Sequence, residues 1–186
     1  MPCSQMSRRY ELKQRAERMA ATRRRIVEAA VELHTTLGPA RTSLAAVAAR
    51  AGVQRHTLYA HFPERSALYA ACSAHWGAQH PFPDPAEWRG LEDALDAVYR
   101  WYEETEGDLV LFRRDMELDD DVRRLQESEG ERLRELTRRL ARGRGRLGRA
   151  AVGHALRFET WRSLRREQRL SHRDAVRAML AFVASV

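Results

Sequence analysis

Residues 42–69 read TSLAAVAARAGVQRHTLYAHFPERSALY. Thr42 or Ser43 can cap a helix, and Leu44, Val47, Ala48 and Ala51 follow at i, i+3, i+4 and i+7. That stripe carries nothing bulky, as a helix packed closely on two neighbours requires. Gly52 breaks the helix and Val53 turns inward, so residues 51–53 predict a tight turn joining two helices at a steep angle. Gln54 to His61 predicts a second short helix. Pro63 ends it, because the residue before a proline is pushed out of the helical region. Leu58 and Phe62 can reach a core, while Gln54, Arg55, His56, Thr57, Tyr59 and His61 are left mostly outward. A helix so short and so rich in donors is poor scaffold. Gln and Arg can make paired hydrogen bonds to base edges in the major groove, and Thr, Tyr and His suit phosphate oxygens. The competing reading is a small helical hairpin with a solvated polar face.

The stretch LAAVAARAGVQRHTLYAHFPERSALYAA, residues 44–71, resembles the DNA-binding domain of the tetracycline-repressor (TetR) family of bacterial regulators. The likeness rests on the small-residue second helix, the Ala-Gly-Val turn, Thr-Leu-Tyr-x-His-Phe, and a following helix with the basic Arg65 near its start. It spans about residues 22–72. It implies a three-helix headpiece with Thr42, Ser43, Gln54, Arg55, His56, Thr57, Tyr59, His61 and Arg65 as the DNA-binding set. It also implies a homodimer formed through the final helices. The carboxy-terminal part varies widely among such proteins, so there the resemblance supports architecture more than chemistry.

Charge is distributed unevenly. Residues 1–65 hold 12 Lys+Arg and 5 Asp+Glu, whereas the remainder holds 21 of each. The excess sits on the segment carrying the helix-turn-helix and favours a polyanion partner. Only Lys13 is a lysine; Arg supplies every other basic residue. Apolar residues make up 44% of the chain, enough for a core, yet no apolar run approaches a membrane span and none at the start resembles a secretory signal. The expectation is a cytoplasmic protein without membrane contact. Cys3 and Cys72 show no zinc-like spacing with His, and Cys72 reads as a small core residue beside Leu68, Tyr69 and Trp76.

Along the chain, residues 1–20 read as a flexible basic arm (Arg8, Arg9, Lys13, Arg15, Arg18), becoming helical near its end. Ile26, Val27, Ala30, Leu33 and Leu37 mark a first helix, capped by Thr22 and stopped by Gly38-Pro39. A fourth helix runs from near Glu64 to Gln79, and His80 to Pro85 is an extended break. The domains expected are the arm 1–20, a DNA-binding domain 21–66 and a helical ligand-binding and dimerisation domain 67–186, with the fourth helix belonging to both halves. Leu91 to Tyr102 marks a fifth helix. Gly107 interrupts it, and Asp108 caps a sixth with Leu109, Val110 and Phe112. Leu118, Val122, Leu125, Leu133, Leu136 and Leu140 give a long charged seventh. GRGRLG (143–148) is a positive connector, residues 149–168 an eighth helix, and Ser171 caps a ninth carrying Val176, Met179, Leu180 and Val183. The fold class is therefore all-α, with about nine helices and no strand or repeat signal.

No Gly-rich phosphate loop, nucleophile elbow or zinc-helix motif appears, so no catalytic residue, metal or cofactor is expected. Asp119-Asp120-Asp121 reads as an acidic helix start favoured by the dipole. Aromatic residues on the body's helices read either as ordinary core or as lining of an apolar pocket. Trp101, Tyr102, Phe112, His154 and Phe158 are the ligand-binding candidates. Ala155, Val176, Met179 and Phe182 are the dimerisation candidates, against the alternative of intramolecular core. The expected function is a transcriptional regulator that occupies double-stranded operator DNA, most simply a repressor released by a small-molecule effector. A ligand-independent repressor or activator stands beside it, and from another class a helical enzyme or small-molecule binding protein.

Overall fold

The computed structural model describes residues 3–186, and the side chains of all of these but 3–8, 125, 126, 128 and 129. The expectations that rest on the side chains of Cys3, Arg8 and Leu125 lie outside the described residues. The described chain is all-helical and contains no strand. It forms two compact units. The first is Met1–Gln79 with Leu111–Val122; the second is His80–Val110 with Arg123–Val186.

In the first unit, α1 (Cys3–Thr36) packs on α2 (Leu44–Arg50) and on α4 (Arg65–Gln79), with α3 (Arg55–His61) against α2. Its core joins Ile26, Val27, Ala29 and Ala30 of α1 to Val47, Ala48, Leu58, Phe62, Leu68 and Cys72. The residues read as an arm are helical from Cys3 onward, and Thr22 lies inside α1 rather than at its start. Glu, Lys, Gln, Arg, Met and Ala are all strong helix formers, and Lys13–Glu17 and Arg24–Glu28 add i,i+4 pairs. Leu37, expected on the buried stripe, is exposed, because α1 ends at Thr36 before the stripe returns. The sequence groups residues 67–79 with the body. Leu68, Tyr69 and Cys72 are buried in the first unit, and the Cys72 thiol lies 3.9 Å from the Val27 carbonyl on α1. Burial pushes that thiol up to about 12, which makes it an inert packing group.

α5 spans Leu91–Met116 without interruption. The break expected at Gly107 is absent, and Asp108 does not cap a separate helix. Buried Leu95, Val98, Tyr102, Thr105 and Leu109 keep the 3–4 spacing straight through that point, and Gly107 lies on the exposed side with open space around it. α6 is Asp120–Leu140, buried through Val122 and Leu136 but with Leu118 exposed before its start.

The helix expected over 149–168 is two helices. α7 (Arg146–Ala155) stops at Leu156, and α8 (Phe158–Arg162) continues into a π-helical turn, Ser163–Glu167. The break is made by partners on α5 and α8. The Tyr99 and Tyr102 hydroxyls donate to the carbonyls of Ala155 and Leu156, each at 2.8 Å, and the Thr160 hydroxyl donates to that of His154 at 2.7 Å. The carbonyls of Ala155 and Leu156 at the helix end are thereby satisfied by side chains, while that of His154 also accepts from the Arg157 amide at 3.1 Å. α9 (His172–Ala184) is capped by Ser171, whose hydroxyl oxygen accepts from the Asp174 amide, and it packs on α7.

Candidate nucleic-acid interface

The turn between α2 and α3 is fixed by backbone chemistry. Gly52 has φ +64°, its amide donates to Ala49 and the Val53 amide donates to Ala48, at 3.1 and 3.0 Å. These are the paired bonds of a Schellman motif, which needs a residue in the left-handed region at this point. Val53 is half-buried against the core and closes the motif. At the other end of α2, the Ser43 hydroxyl accepts from the Ala46 amide at 3.1 Å. The start and end of α2 are thus both determined, and α3 begins at Arg55, just past the turn, with its face set by Leu58, which is buried.

That orientation leaves a row of donors in solvent. Gln54 precedes the first turn of α3 without its side chain capping the helix, so its amide is available. Arg55 and His56 are exposed, Tyr59 is 43% exposed, and Thr57 and His61 are half-buried. Five of these six residues lie on α3, with Gln54 at its N-cap, and Leu58 faces the core. Thr42 departs from expectation. It is buried, and its hydroxyl donates to the Gly38 carbonyl at 2.9 Å, so it holds the turn ahead of α2 instead of facing outward.

Arg65 also departs. Its guanidinium donates to the Asp119 carboxylate and to the Tyr69 hydroxyl, so it is paired within the first unit. The Tyr69 hydroxyl donates to the Pro39 carbonyl at 3.1 Å. One turn earlier in the 111–122 segment, the fully buried Asp115 accepts from the Ala40 amide at 2.8 Å and from Arg114 at 2.7 Å, and Arg114 donates to the Leu37 carbonyl. Gly38, at φ +96°, lies under this cluster, and a Cβ there would collide with Arg114 and Asp115. The 111–122 segment therefore clasps the turn that leads into α2. His34 is buried beside it, edge-on to Tyr69 at 5.2 Å. Burial, reinforced by the Arg65 charge and opposed by Asp115, lowers the His34 imidazole to about 4, so it is neutral at pH 7. The sequence reading missed Asp115 and Tyr69 as supports of this site. A lone acid at the end of a charged helix carries no signal that it will be fully buried.

The other candidates fall in different places. Trp101, Tyr102 and Phe158 are buried together in the second unit, with ring centroids 5.6 Å apart for Trp101–Tyr102 and 5.3 Å for Tyr102–Phe158. Trp161 completes the group at 5.8 Å from Tyr102, and its buried indole N–H has no hydrogen-bond partner among the described residues. Phe112 is not among them. It belongs to the first unit and packs edge-on to Trp76 at 5.6 Å. His154 is exposed on α7, against the α9 residue Phe182 at 6.0 Å. Of the dimerisation candidates, Ala155 and Val176 are claimed by the second unit's own core, which takes them off any outer face. Met179 is half-buried and Phe182 is exposed, and the large apolar residues Leu147 and Val186 are exposed as well.

Residues 26–72 match the model of the family described as bacterial regulatory proteins, tetR family. A comparison with curated proteins finds no match. Among solved structures, the chain is similar to a TetR-like transcriptional regulator from Rhodococcus sp. RHA1, with TM-score 0.59 and 22% identity over 88% of this chain and 94% of that one. It is also similar to the multidrug binding protein EbrR, solved in complex with imidazole, with TM-score 0.60 and 20% identity over 86% of this chain and 88% of that one. At these identities the likeness is one of fold. No described helix is long and apolar enough to cross a membrane, and no group of three or more described His, Cys, Asp or Glu side chains could hold a metal ion.

Proposed function

Because residues 26–72 place this chain in the tetR family of bacterial regulatory proteins, we propose that it binds a two-fold operator in duplex DNA as a homodimer and represses transcription until a small molecule releases it. The observation that carries the DNA reading is the row of exposed donors on α3, held outward by a helix whose opposite face is core. Gln54, Arg55 and His56 open α3, where side chains enter the major groove, and read base edges. Ser43, Thr57, Tyr59 and His61 hold phosphates. The two protomers pair through α7 and α9. Support comes from the apolar side chains left in solvent there, Leu147, Phe182 and Val186, with Met179 beside them.

The effector reading draws on the ring cluster of Trp101, Tyr102, Phe158 and Trp161, in which the buried Trp161 indole N–H, unpartnered among the described residues, can serve a hydrogen-bond acceptor. It draws also on the shared fold with a multidrug binding protein solved with imidazole. Effector and operator binding are then linked, and the linkage is reciprocal. A 100-fold loss of operator affinity corresponds to about 2.7 kcal/mol of coupling. The experiment is to find an effector by thermal shift, then titrate it with and without the operator. The operator should weaken effector binding by the same factor. Equal effector affinity in both titrations would remove the release mechanism.

A further inference from the structure

Resting on the DNA-binding reading above, we propose that Arg65 is a phosphate contact held in reserve, and that the Asp119 carboxylate is the intramolecular competitor a DNA phosphate must replace. Arg65 opens α4, four residues after the end of α3, and its side chain is 38% exposed. In the structure its charge is spent inward. Nη2 donates to Asp119 Oδ2 and to the Tyr69 hydroxyl, and Asp119 is 8% exposed. A cation already neutralised by a carboxylate has little to offer a phosphate. Binding one there releases no extra counterion, so the residue is silent in the salt dependence of DNA binding.

The two oxygens of Asp119 have separate tasks. Oδ1 accepts from the amides of Asp121 and Val122, at 2.9 and 3.4 Å, and so starts α6; Oδ2 holds Arg65. The carboxylate can therefore give up Arg65 without unravelling the helix it caps. Arg65 and Asp119 sit on segments of the first unit that are remote in sequence, α4 and the 111–122 stretch, and both ends of that stretch run on into residues of the second unit. A slight retreat of 111–122 from α4 frees one guanidinium per protomer, and a slight advance takes it away. The pair is a device by which the segment sets the number of phosphate contacts.

The test uses Asp119→Asn, because Asn caps a helix as well as Asp does and has the same shape. Affinity for a non-specific duplex is measured against salt in the wild type, in Asp119→Asn, in Arg65→Gln and in the double variant. Asp119→Asn should bind roughly tenfold tighter at low salt, with a log–log slope steeper by about 1 per protomer. In the Arg65→Gln background that gain should vanish. Glu117→Gln removes the same charge two residues away from an exposed side chain, and should leave the slope unchanged. Asp119→Ser, which also caps, supplies the answer if the Asn variant does not fold. A gain that survives in Arg65→Gln, or one no larger than that of Glu117→Gln, would overturn the proposal and leave the pair a structural tie. A wild type that binds no duplex at any salt would instead sink the DNA-binding reading on which it rests.

Discussion

Arg55→Ala should cost about 1–3 kcal/mol on the operator if the guanidinium forks onto a guanine, and it should relax preference at one base pair per half-site. Binding titrations on the operator and on single-base variants of it measure both effects. Unchanged affinity and preference would mean that α3 presents a different register. Arg55 is exposed and was legible in the sequence, since Leu58 and Phe62 fix which side of α3 faces the core. His34 was not legible. Its neutrality comes from burial among residues brought together only by the fold. The sign of its pH effect follows directly. The unfolded imidazole takes up a proton near 6.5 and the folded one near 4, so between these values the unfolded chain binds more protons and stability falls as pH drops. The loss is at most about 3 kcal/mol by pH 4. Denaturant unfolding at pH 7 and at pH 4.5 should show it, and His34→Gln should flatten the difference; an equal difference in the variant would assign the loss to other groups.

At the scale of elements, two glycines give opposite expectations. Gly52 has φ +64°, so Gly52→Ala strains the turn between α2 and α3 and should destabilise by about 1 kcal/mol. Gly107 is an exposed interior residue of α5, so Gly107→Ala should stabilise by about 0.5–1 kcal/mol. Urea midpoints check both, and a stabilising Gly52→Ala would contradict the Schellman geometry. The same pair shows what was readable. At Gly52 the glycine coincides with the end of an apolar stripe, and the turn is local chemistry. At Gly107 the apolar stripe continues past the glycine, and the periodicity overrides the breaker, so α5 runs on. The division of 149–168 into α7 and α8 had no local signal. It depends on Tyr99 and Tyr102, 56 and 54 residues away from the carbonyls they satisfy. The Arg65–Asp119 pair was hidden for the same reason, 54 residues apart. The sequence marks Arg65 as part of the DNA-binding set and Asp119 as part of an acidic helix start, but only the fold joins them.

At the scale of the molecule, the charge excess is confined to the segment that carries α3, and the rest of the chain is balanced. A dimer doubles that excess and presents two recognition helices, which fit a duplex when about 34–36 Å apart, or a multiple of that. On the proposed function, this basic, donor-bearing headpiece grips DNA largely through phosphates. That grip is tested most directly by the affinity of the purified protein for a duplex from the region upstream of its own gene, measured across a salt series. With 6 to 10 phosphate contacts per dimer, the log–log slope should lie near −5 to −9, and affinity should fall about 10³- to 10⁵-fold between 50 and 200 mM salt. A slope near zero, or no retardation of the duplex at low salt, would contradict it.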